Sequence, residues 1–167
     1  MTCIDQAETE EDRLQVGELF WEYLQWANER LNQEFDVNLD IASMHEQAMA
    51  ELEMFAPPHG RLLLATEGSQ AAGIACLKRI REGMGEIKRM YVRPEFLGQG
   101  IGRALLEALI AEAQEIGYQT LRLDSTRFMK AAHSLYRSAG FQEIEPYPES
   151  EIPPEFHKHW VFMEKQL

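Results

Sequence analysis

The chain has 167 residues, of which 45% are apolar and 26% charged, and this composition excludes disordered and fibrous proteins and predicts a single folded domain over residues 1–167. Sixteen Lys and Arg against 28 Asp and Glu give a net charge of −12, which argues against nucleic-acid and membrane partners because both present anionic surfaces. The two cysteines form no disulfide or metal pattern, and the acidic N-terminus lacks the pattern of a secretion signal, so we expect a cytoplasmic location.

Apolar residues at helical and strand spacing predict nine elements in the order ααβββαβαβ. The first two are helices over residues 10–31 and 41–55, and Pro57-Pro58 ends the second because proline cannot continue a helix. The later elements are strands over residues 61–66, 71–80 and 84–92, a helix over 102–116, a strand over 120–123, a helix over 129–139 and a strand over 160–163. Gly117 and Gly140 mark the ends of the last two helices.

A glycine-rich segment, Leu97-Gly98-Gln99-Gly100-Ile101-Gly102-Arg103, lies between a predicted strand and a predicted helix. Its alternate glycines let the backbone turn tightly and direct several amides to one point, and the helix N-terminus adds partial positive charge. The segment therefore predicts an anion cradle, the alternative being a turn that binds nothing. A Walker loop is excluded by Arg103-Ala104, where Lys and Ser or Thr are needed, and a dinucleotide GxGxxG loop would need glycine at position 103.

Two motifs in this order resemble the GNAT acetyltransferases, a family that uses acetyl-coenzyme A. The first is Met90-Tyr91-Val92-Arg93-Pro94 with the glycine-rich segment, and the second is Leu135-Tyr136 with Gly140-Phe141. The similarity is strongest over residues 85–141, and the predicted order of elements agrees with that fold. The resemblance implies an α/β protein of the GNAT-like acyl-CoA N-acyltransferase fold, with a central mixed, mostly antiparallel sheet flanked by helices.

The same resemblance implies where acetyl-coenzyme A binds and which group acts as an acid. Backbone amides of the glycine-rich segment would hold the pyrophosphate, and the strand before it would pair with the pantetheine arm. The residues implied in cofactor binding are Met90, Tyr91, Val92, Leu97, Gly98, Gln99, Gly100, Ile101, Gly102 and Arg103. Tyr136 matches the family's general acid, whose phenol protonates the departing thiolate; the alternative is a tyrosine that packs a helix face.

Two positions depart from the family pattern. Leu97 stands where the family's loop usually begins with Arg or Gln, so this position donates only its backbone amide. Met129 stands where relatives often carry Asn before the later helix, which removes one expected side-chain contact to the cofactor. The amide cradle itself is retained.

Amine acetylation also needs a base, since an amine is protonated at neutral pH and must lose a proton before it attacks. Glu86 and Asp124 both lie where relatives often carry an acid near the acetyl group, and a water relay without a dedicated base is a third possibility. For Glu86 the competing interpretation is a solvated strand residue paired with Lys88.

The acceptor is expected to contact the first two helices and the loop between them, where Trp26, Glu34 and Asp36 suit a cationic amine. The proline-rich segment over residues 146–154 is expected to fold over the mouth of the site. No metal is expected, because the histidines show no ligand spacing, although His157 and His159 are predicted to alternate on one face of a strand.

The predicted function is transfer of the acetyl group of acetyl-coenzyme A to a primary amine of a small molecule or peptide, by direct attack in a ternary complex. Two alternatives stay open: a non-catalytic acyl-coenzyme A sensor that keeps the cradle, and an interaction module whose loop is empty. A homodimer is compatible with the resemblance, because members of the family often form dimers.

Overall fold

The computed structural model describes residues 1–167 and contains seven strands, four α-helices and three short 3₁₀ segments. The strands are β1 (Thr2–Gln6), β2 (Arg61–Glu67), β3 (Gln70–Arg81), β4 (Met84–Val92), β5 (Thr120–Thr126), β6 (Gln142–Ile144) and β7 (Trp160–Gln166). The helices are α1 (Glu10–Phe35), α2 (Ile41–Ala50), α3 (Ile101–Ile116) and α4 (Lys130–Ser138). The 3₁₀ segments cover Leu52–Phe55, Pro94–Phe96 and Pro154–His159.

All seven strands form one sheet in the order β1-β2-β3-β4-β5-β7-β6. Only β4 and β5 pair in parallel, and α3 makes the crossover between them; the other five pairings are antiparallel. The hairpin from β2 to β3 turns at Gly68, whose φ of 60° suits glycine in a tight two-residue loop. The predicted mixed, mostly antiparallel sheet is confirmed.

The sheet is covered on both faces because successive strand residues point to opposite sides. In β2, Leu63 packs on the face that carries α3, while Leu62 and Leu64 pack on the face that carries α1 and α2. A third cluster at the end of α1 includes Leu31 and Trp160 and closes the edge near β7. The site described below lies where these three clusters meet.

Helix α1 is longer than predicted and is well defined at both ends. A capping box forms at its start, where the Thr9 hydroxyl accepts from the Asp12 amide and the Asp12 carboxylate accepts from the Thr9 amide. Asp36 ends the helix in the left-handed conformation. No helix in the structure is both long enough and apolar enough to cross a bilayer.

The structure corrects four element predictions. Strand β1 was missed because an edge strand buries only one row of side chains, so its sequence carries little apolar signal; the three-residue β6 was not among the nine predicted elements either. Helix α2 ends at Ala50 instead of residue 55, since Leu52–Phe55 tightens into a 3₁₀ turn that brings Leu52 and Phe55 into the core together. His157 and His159 lie in a 3₁₀ segment that begins at Pro154, not on a strand.

Candidate active site

The site begins where strands β4 and β5 separate. The two strands pair in parallel from Met84 to Ile87 on β4 and from Thr120 to Leu123 on β5, and then stop pairing. A bulge in β4 explains the separation: Cys76 of β3 faces Lys88 while Ile74 faces Tyr91, so β4 holds one extra residue. Beyond Leu123, β5 pairs only with β7. A wedge therefore opens inside the sheet.

Residues 90–92 form one wall of this wedge. They pair with β3 on one side only, so their backbone groups on the β5 side have no strand partner and are free to bond a ligand. Met90 and Val92 pack toward α3, and Tyr91 packs toward α1. This open edge has the backbone groups that the predicted pairing with an extended ligand arm would need.

The glycine-rich segment lies at the mouth of the wedge and opens α3. Gly98 and Gly100 have φ of 79° and 82°, and a Cβ on either would meet no atom within 4 Å. The first helical bond runs from the Ala104 amide to the Gly100 carbonyl, and the six amides of residues 98–103 donate no backbone hydrogen bond. Such a cluster of free amides at a helix N-terminus fits an anion such as pyrophosphate.

A cavity of about 130 Å³ lies beneath α1 and α2, on the face of the sheet opposite α3. Eleven of its 17 lining residues are apolar, among them Phe20, Leu24 and Ile87. Its charged lining residues are Lys88, Arg89, Asp124 and Glu151. The cavity combines an apolar body with a few convergent polar groups, which is the usual character of a small-molecule site.

Asp124, at the end of the paired part of β5, reaches this cavity. Burial raises its pKa from 3.8 to about 6, and the nearby Glu86 and Glu151 carboxylates push in the same direction. Lys88 and a hydrogen bond from the Ser150 hydroxyl, 3.0 Å from Oδ2, oppose the rise. A carboxylate with a pKa near 6 is ionised at neutral pH and still basic enough to accept a proton.

Glu86, the other predicted base, does not line the cavity. Its side chain is buried, Oε2 accepts a 2.6 Å hydrogen bond from the Tyr147 hydroxyl, and Oε1 lies 3.7 Å from Lys78 Nζ and 3.8 Å from Lys88 Nζ. The competing interpretation of Glu86, a solvated strand residue paired with Lys88, is therefore wrong about the solvation, while the Lys88 pair is present. Its hydrogen bond from Tyr147 ties the proline-rich segment to β4.

Tyr136 projects from α4 into the cluster of buried residues beneath α3. It is 6% exposed and packs edge-on against Phe141, with 5.9 Å between ring centroids. Burial, with smaller contributions from Tyr23 and Asp124, holds the pKa of its phenol above the ordinary value. The phenol is therefore protonated at neutral pH, as a general acid must be.

The three residues predicted to contact the acceptor lie outside the cavity lining. Glu34 is on the surface with its Oε1 2.6 Å from Arg30 Nη2, and Asp36 forms the left-handed end of α1. Trp26 is 37% exposed and packs between Tyr91 and Phe128, one from each side of the wedge. Of the three, only Trp26 lies near the site.

The proline-rich segment over residues 146–154 lies beside the cavity and supplies groups that sequence reasoning missed. Glu151 and Ile152 line the cavity, and Glu151 Oε1 lies 2.6 Å from Lys88 Nζ. Arg89 on the bulge was also missed. No local pattern marks these residues, because their roles depend on a bulge and on a loop that returns from sixty positions later in the chain.

No group of three or more His, Cys, Asp or Glu side chains is arranged to hold a metal ion. His133 is buried and its Nε2 lies 3.1 Å from the Ser125 hydroxyl, while His157 Nε2 lies 2.8 Å from the Ile152 carbonyl. His159 stacks on Phe35. These histidines have structural partners and form no cluster.

Comparison with known proteins agrees with these features. The sequence matches the acetyltransferase (GNAT) family over residues 15–141. An uncharacterized N-acetyltransferase of Schizosaccharomyces pombe, C1271.07c, is 32% identical over 123 residues, which are 72% of this chain and 76% of the relative. The IAA acetyltransferase of Azospirillum brasilense is 33% identical over 147 residues, which are 86% of this chain and 93% of the relative.

The fold is shared with solved structures at low sequence identity. The PaiA N-acetyltransferase from Thermoplasma acidophilum, in complex with coenzyme A, superposes with a TM-score of 0.76 at 20% identity, over 100% of this chain and 99% of that chain. The fold implied by the two sequence motifs is therefore confirmed.

Proposed function

This chain belongs to the GNAT acetyltransferase family, and we propose that it transfers the acetyl group of acetyl-coenzyme A directly to a primary amine bound in the cavity beneath α1 and α2. The observation that carries the proposal is the wedge between β4 and β5. It has free amides of the glycine-rich segment at its mouth and Asp124 in the cavity on the opposite face of the sheet. Both reactants can therefore reach the same opening from different sides.

The cofactor site is proposed from groups that have no other partner. The amides of residues 98–103 would hold the pyrophosphate, and the open edge of residues 90–92 would pair with the pantetheine arm. Bound there, acetyl-coenzyme A supplies an activated acetyl thioester. The exposed Gly98 and Gly100 leave open space above the loop for this contact.

Asp124 is proposed as the base and Tyr136 as the acid. The Asp124 carboxylate accepts a proton from the acceptor's ammonium group, which frees the nitrogen lone pair for attack on the thioester carbon. As the carbon–nitrogen bond forms and the carbon–sulfur bond breaks, the Tyr136 phenol donates its proton to the departing thiolate. The attacking nitrogen releases its second proton, through solvent, to the phenolate left behind, which gives the neutral amide and the free thiol of coenzyme A. Glu86 is proposed only to position β4 and the proline-rich segment, because it lies outside the cavity lining and its Oε2 already accepts a hydrogen bond from Tyr147.

Binding of acetyl-coenzyme A is the first test. Calorimetric titration with acetyl-coenzyme A and coenzyme A is expected to give saturable one-to-one binding, and a nicotinamide dinucleotide is expected to give none. An amine screen that follows thiol release then tests transfer. Binding without transfer to any amine would favour the acyl-coenzyme A sensor, and absence of binding would favour the interaction module.

Gly100→Ala is expected to weaken acetyl-coenzyme A binding about tenfold, because alanine disfavours the left-handed conformation by about 1 kcal/mol and its methyl group would stand in the open space above the loop. Gly117→Ala is a matched control at the other end of α3. Gly117 has φ of 101°, and a Cβ at this position would likewise meet no atom within 4 Å. Both variants should lose similar thermal stability, and equal binding by both would contradict the cradle.

Leu97→Arg is expected to tighten acetyl-coenzyme A binding about three- to tenfold at low salt. Leu97 is 63% exposed at the start of the loop, and a guanidinium there would add a charge-assisted contact to phosphate in a chain of net charge −12. The gain should shrink as salt rises, because screening weakens exposed charge pairs. Leu14→Arg, at a residue that is 72% exposed on α1, controls for added charge alone; an equal gain from both would contradict a local contact.

A further inference from the structure

Arg89 is the one arginine that lines the cavity, and its guanidinium forms no hydrogen bond or salt bridge within the chain. It sits on the β4 bulge with φ of 52°, a left-handed conformation that costs a non-glycine residue about 1 kcal/mol. Its Nη1 atom is buried, and the guanidinium carbon lies 5.2 Å from the ring centroids of Phe20 and of Phe55. A half-buried cation with one buried, unbonded nitrogen, held in a strained backbone conformation, is typical of a ligand site.

Of the other three charged residues that line the cavity, two pair with each other and one has no ion-pair partner. Lys88 Nζ lies 2.6 Å from Glu151 Oε1, so these two charges neutralise each other. Asp124 has no cation within salt-bridge distance and is bonded only by the Ser150 hydroxyl. The cavity therefore presents one unpaired cation, Arg89, and one unpaired anion, Asp124, and both lie close enough to the Tyr23 phenol to influence its pKa in opposite directions.

We infer that the amine acceptor is a small amino acid with an uncharged, apolar side chain, whose carboxylate pairs with Arg89 while its ammonium group faces Asp124. The inference rests on the proposed function and specifies its acceptor. Arginine suits this role because its planar fork can donate two parallel hydrogen bonds to a carboxylate. Fixing the carboxylate orients the nitrogen toward the base and the wedge.

The size and lining of the cavity support an acceptor of this class. Its volume of about 130 Å³ is well below the roughly 300–1,000 Å³ of sites for drug-sized ligands, so a large polycationic acceptor would not be enclosed. Leu24, Leu39 and Ile152 contribute apolar wall that would contact the side chain. A net charge of −12 repels carboxylates in general, so a local cation is needed for an anionic group to enter.

Matched acceptor pairs that differ only in the carboxylate test the inference. We expect kcat/KM for L-valine and L-leucine to exceed that for 2-methylpropylamine and 3-methylbutylamine by about 100-fold, the discrimination available to a site whose charged group is left unpaired by the wrong ligand. Arg89→Met should reduce this ratio to nearly one. Arg79→Met, an exposed arginine on neighbouring β3, should leave the ratio unchanged.

A second variant separates recognition from folding. Arg89→Lys keeps the positive charge and most of the aliphatic chain but loses the planar guanidinium. It is expected to lower the ratio of kcat/KM for amino acids to kcat/KM for the matched amines about tenfold, with acetyl-coenzyme A affinity unchanged. Carboxyl-free amines acetylated as well as amino acids would overturn the inference and leave the proposed function standing. Equal loss for both acceptor series in the Arg89 variants would also overturn it. Failure to acetylate either series would overturn it too, and the wider amine screen would then decide separately whether the proposed function stands.

Discussion

Asp124→Asn is expected to lower kcat about 10³-fold at neutral pH and, in the same variant, to raise thermal stability. The loss of turnover follows from removing the proposed base, since a positioned proton acceptor commonly contributes 10²–10⁴-fold. Asparagine keeps the size of the side chain and can still accept the hydrogen bond from Ser150. The acceptor would then have no unpaired carboxylate in the cavity to take its proton, because Glu151 is paired with Lys88.

The gain in stability follows from the direction of the Asp124 pKa shift. Folding raises this pKa from 3.8 to about 6, so the protonated carboxyl favours the folded state at low pH and that contribution is lost as pH rises through 6. Above pH 6 the buried charge costs stability, and asparagine removes the cost. We expect a gain of about 2 kcal/mol, or roughly 4–8 °C in Tm, above pH 6 and almost none below pH 4.

The pH profile and a surface control complete this test. In the wild type kcat/KM should fall below pH 6 as Asp124 becomes protonated, and this limb should be absent in Asp124→Asn. Asp5→Asn, at an exposed position on β1, should change neither turnover nor Tm. Unchanged kcat in Asp124→Asn would eliminate the base role and favour a water relay.

Tyr136→Phe is expected to lower kcat about 10²-fold while the Kd for acetyl-coenzyme A stays unchanged. The substitution removes one oxygen and keeps the ring packed against Phe141. Because burial keeps the phenol protonated, its loss removes the proton that the departing thiolate needs. A thiolate is a moderately good leaving group, which places the expected effect at the lower end of the range for general acids.

A matched control for Tyr136→Phe is Tyr118→Phe. Tyr118 belongs to the same buried cluster, is 5% exposed and donates its hydroxyl hydrogen bond to the His59 carbonyl, away from the wedge. Its loss should lower Tm and leave kcat nearly unchanged. Steady-state kinetics with calorimetric binding would distinguish the two, and equal turnover by Tyr136→Phe and the wild type would contradict the acid role.

Features that depend on local sequence were predicted well. The helix predicted over residues 102–116 and the glycine at position 117 that ends it follow from short-range patterns of apolar residues and glycine, and the structure contains both, with the helix beginning at Ile101. The glycine-rich segment and Tyr136 were identified because both lie in contiguous motifs. Strand β1 was missed because its pairing with β2, sixty residues away, decides its conformation.

The environments of the ionisable groups could not be predicted without the tertiary structure. Glu86 and Asp124 are both carboxylates on strands, and nothing in their sequence neighbours separates them. The segment over residues 146–154 makes the difference. Tyr147 donates a hydrogen bond to the buried Glu86, whereas Ser150 donates one to Asp124, which lines the cavity and has a raised pKa. Desolvation depends on every element packed around a group.

The sequence by itself therefore indicated the family, the four α-helices and five of the seven strands, the glycine-rich segment and the acid candidate, because each is marked by residues close together in the chain. The tertiary structure alone decided which carboxylate lines the cavity, where the cavity lies and that the Arg89 guanidinium in it has no hydrogen-bond partner. The physical reason is that the β4 bulge, the separation from β5 and the fold of residues 146–154 bring together groups more than sixty positions apart.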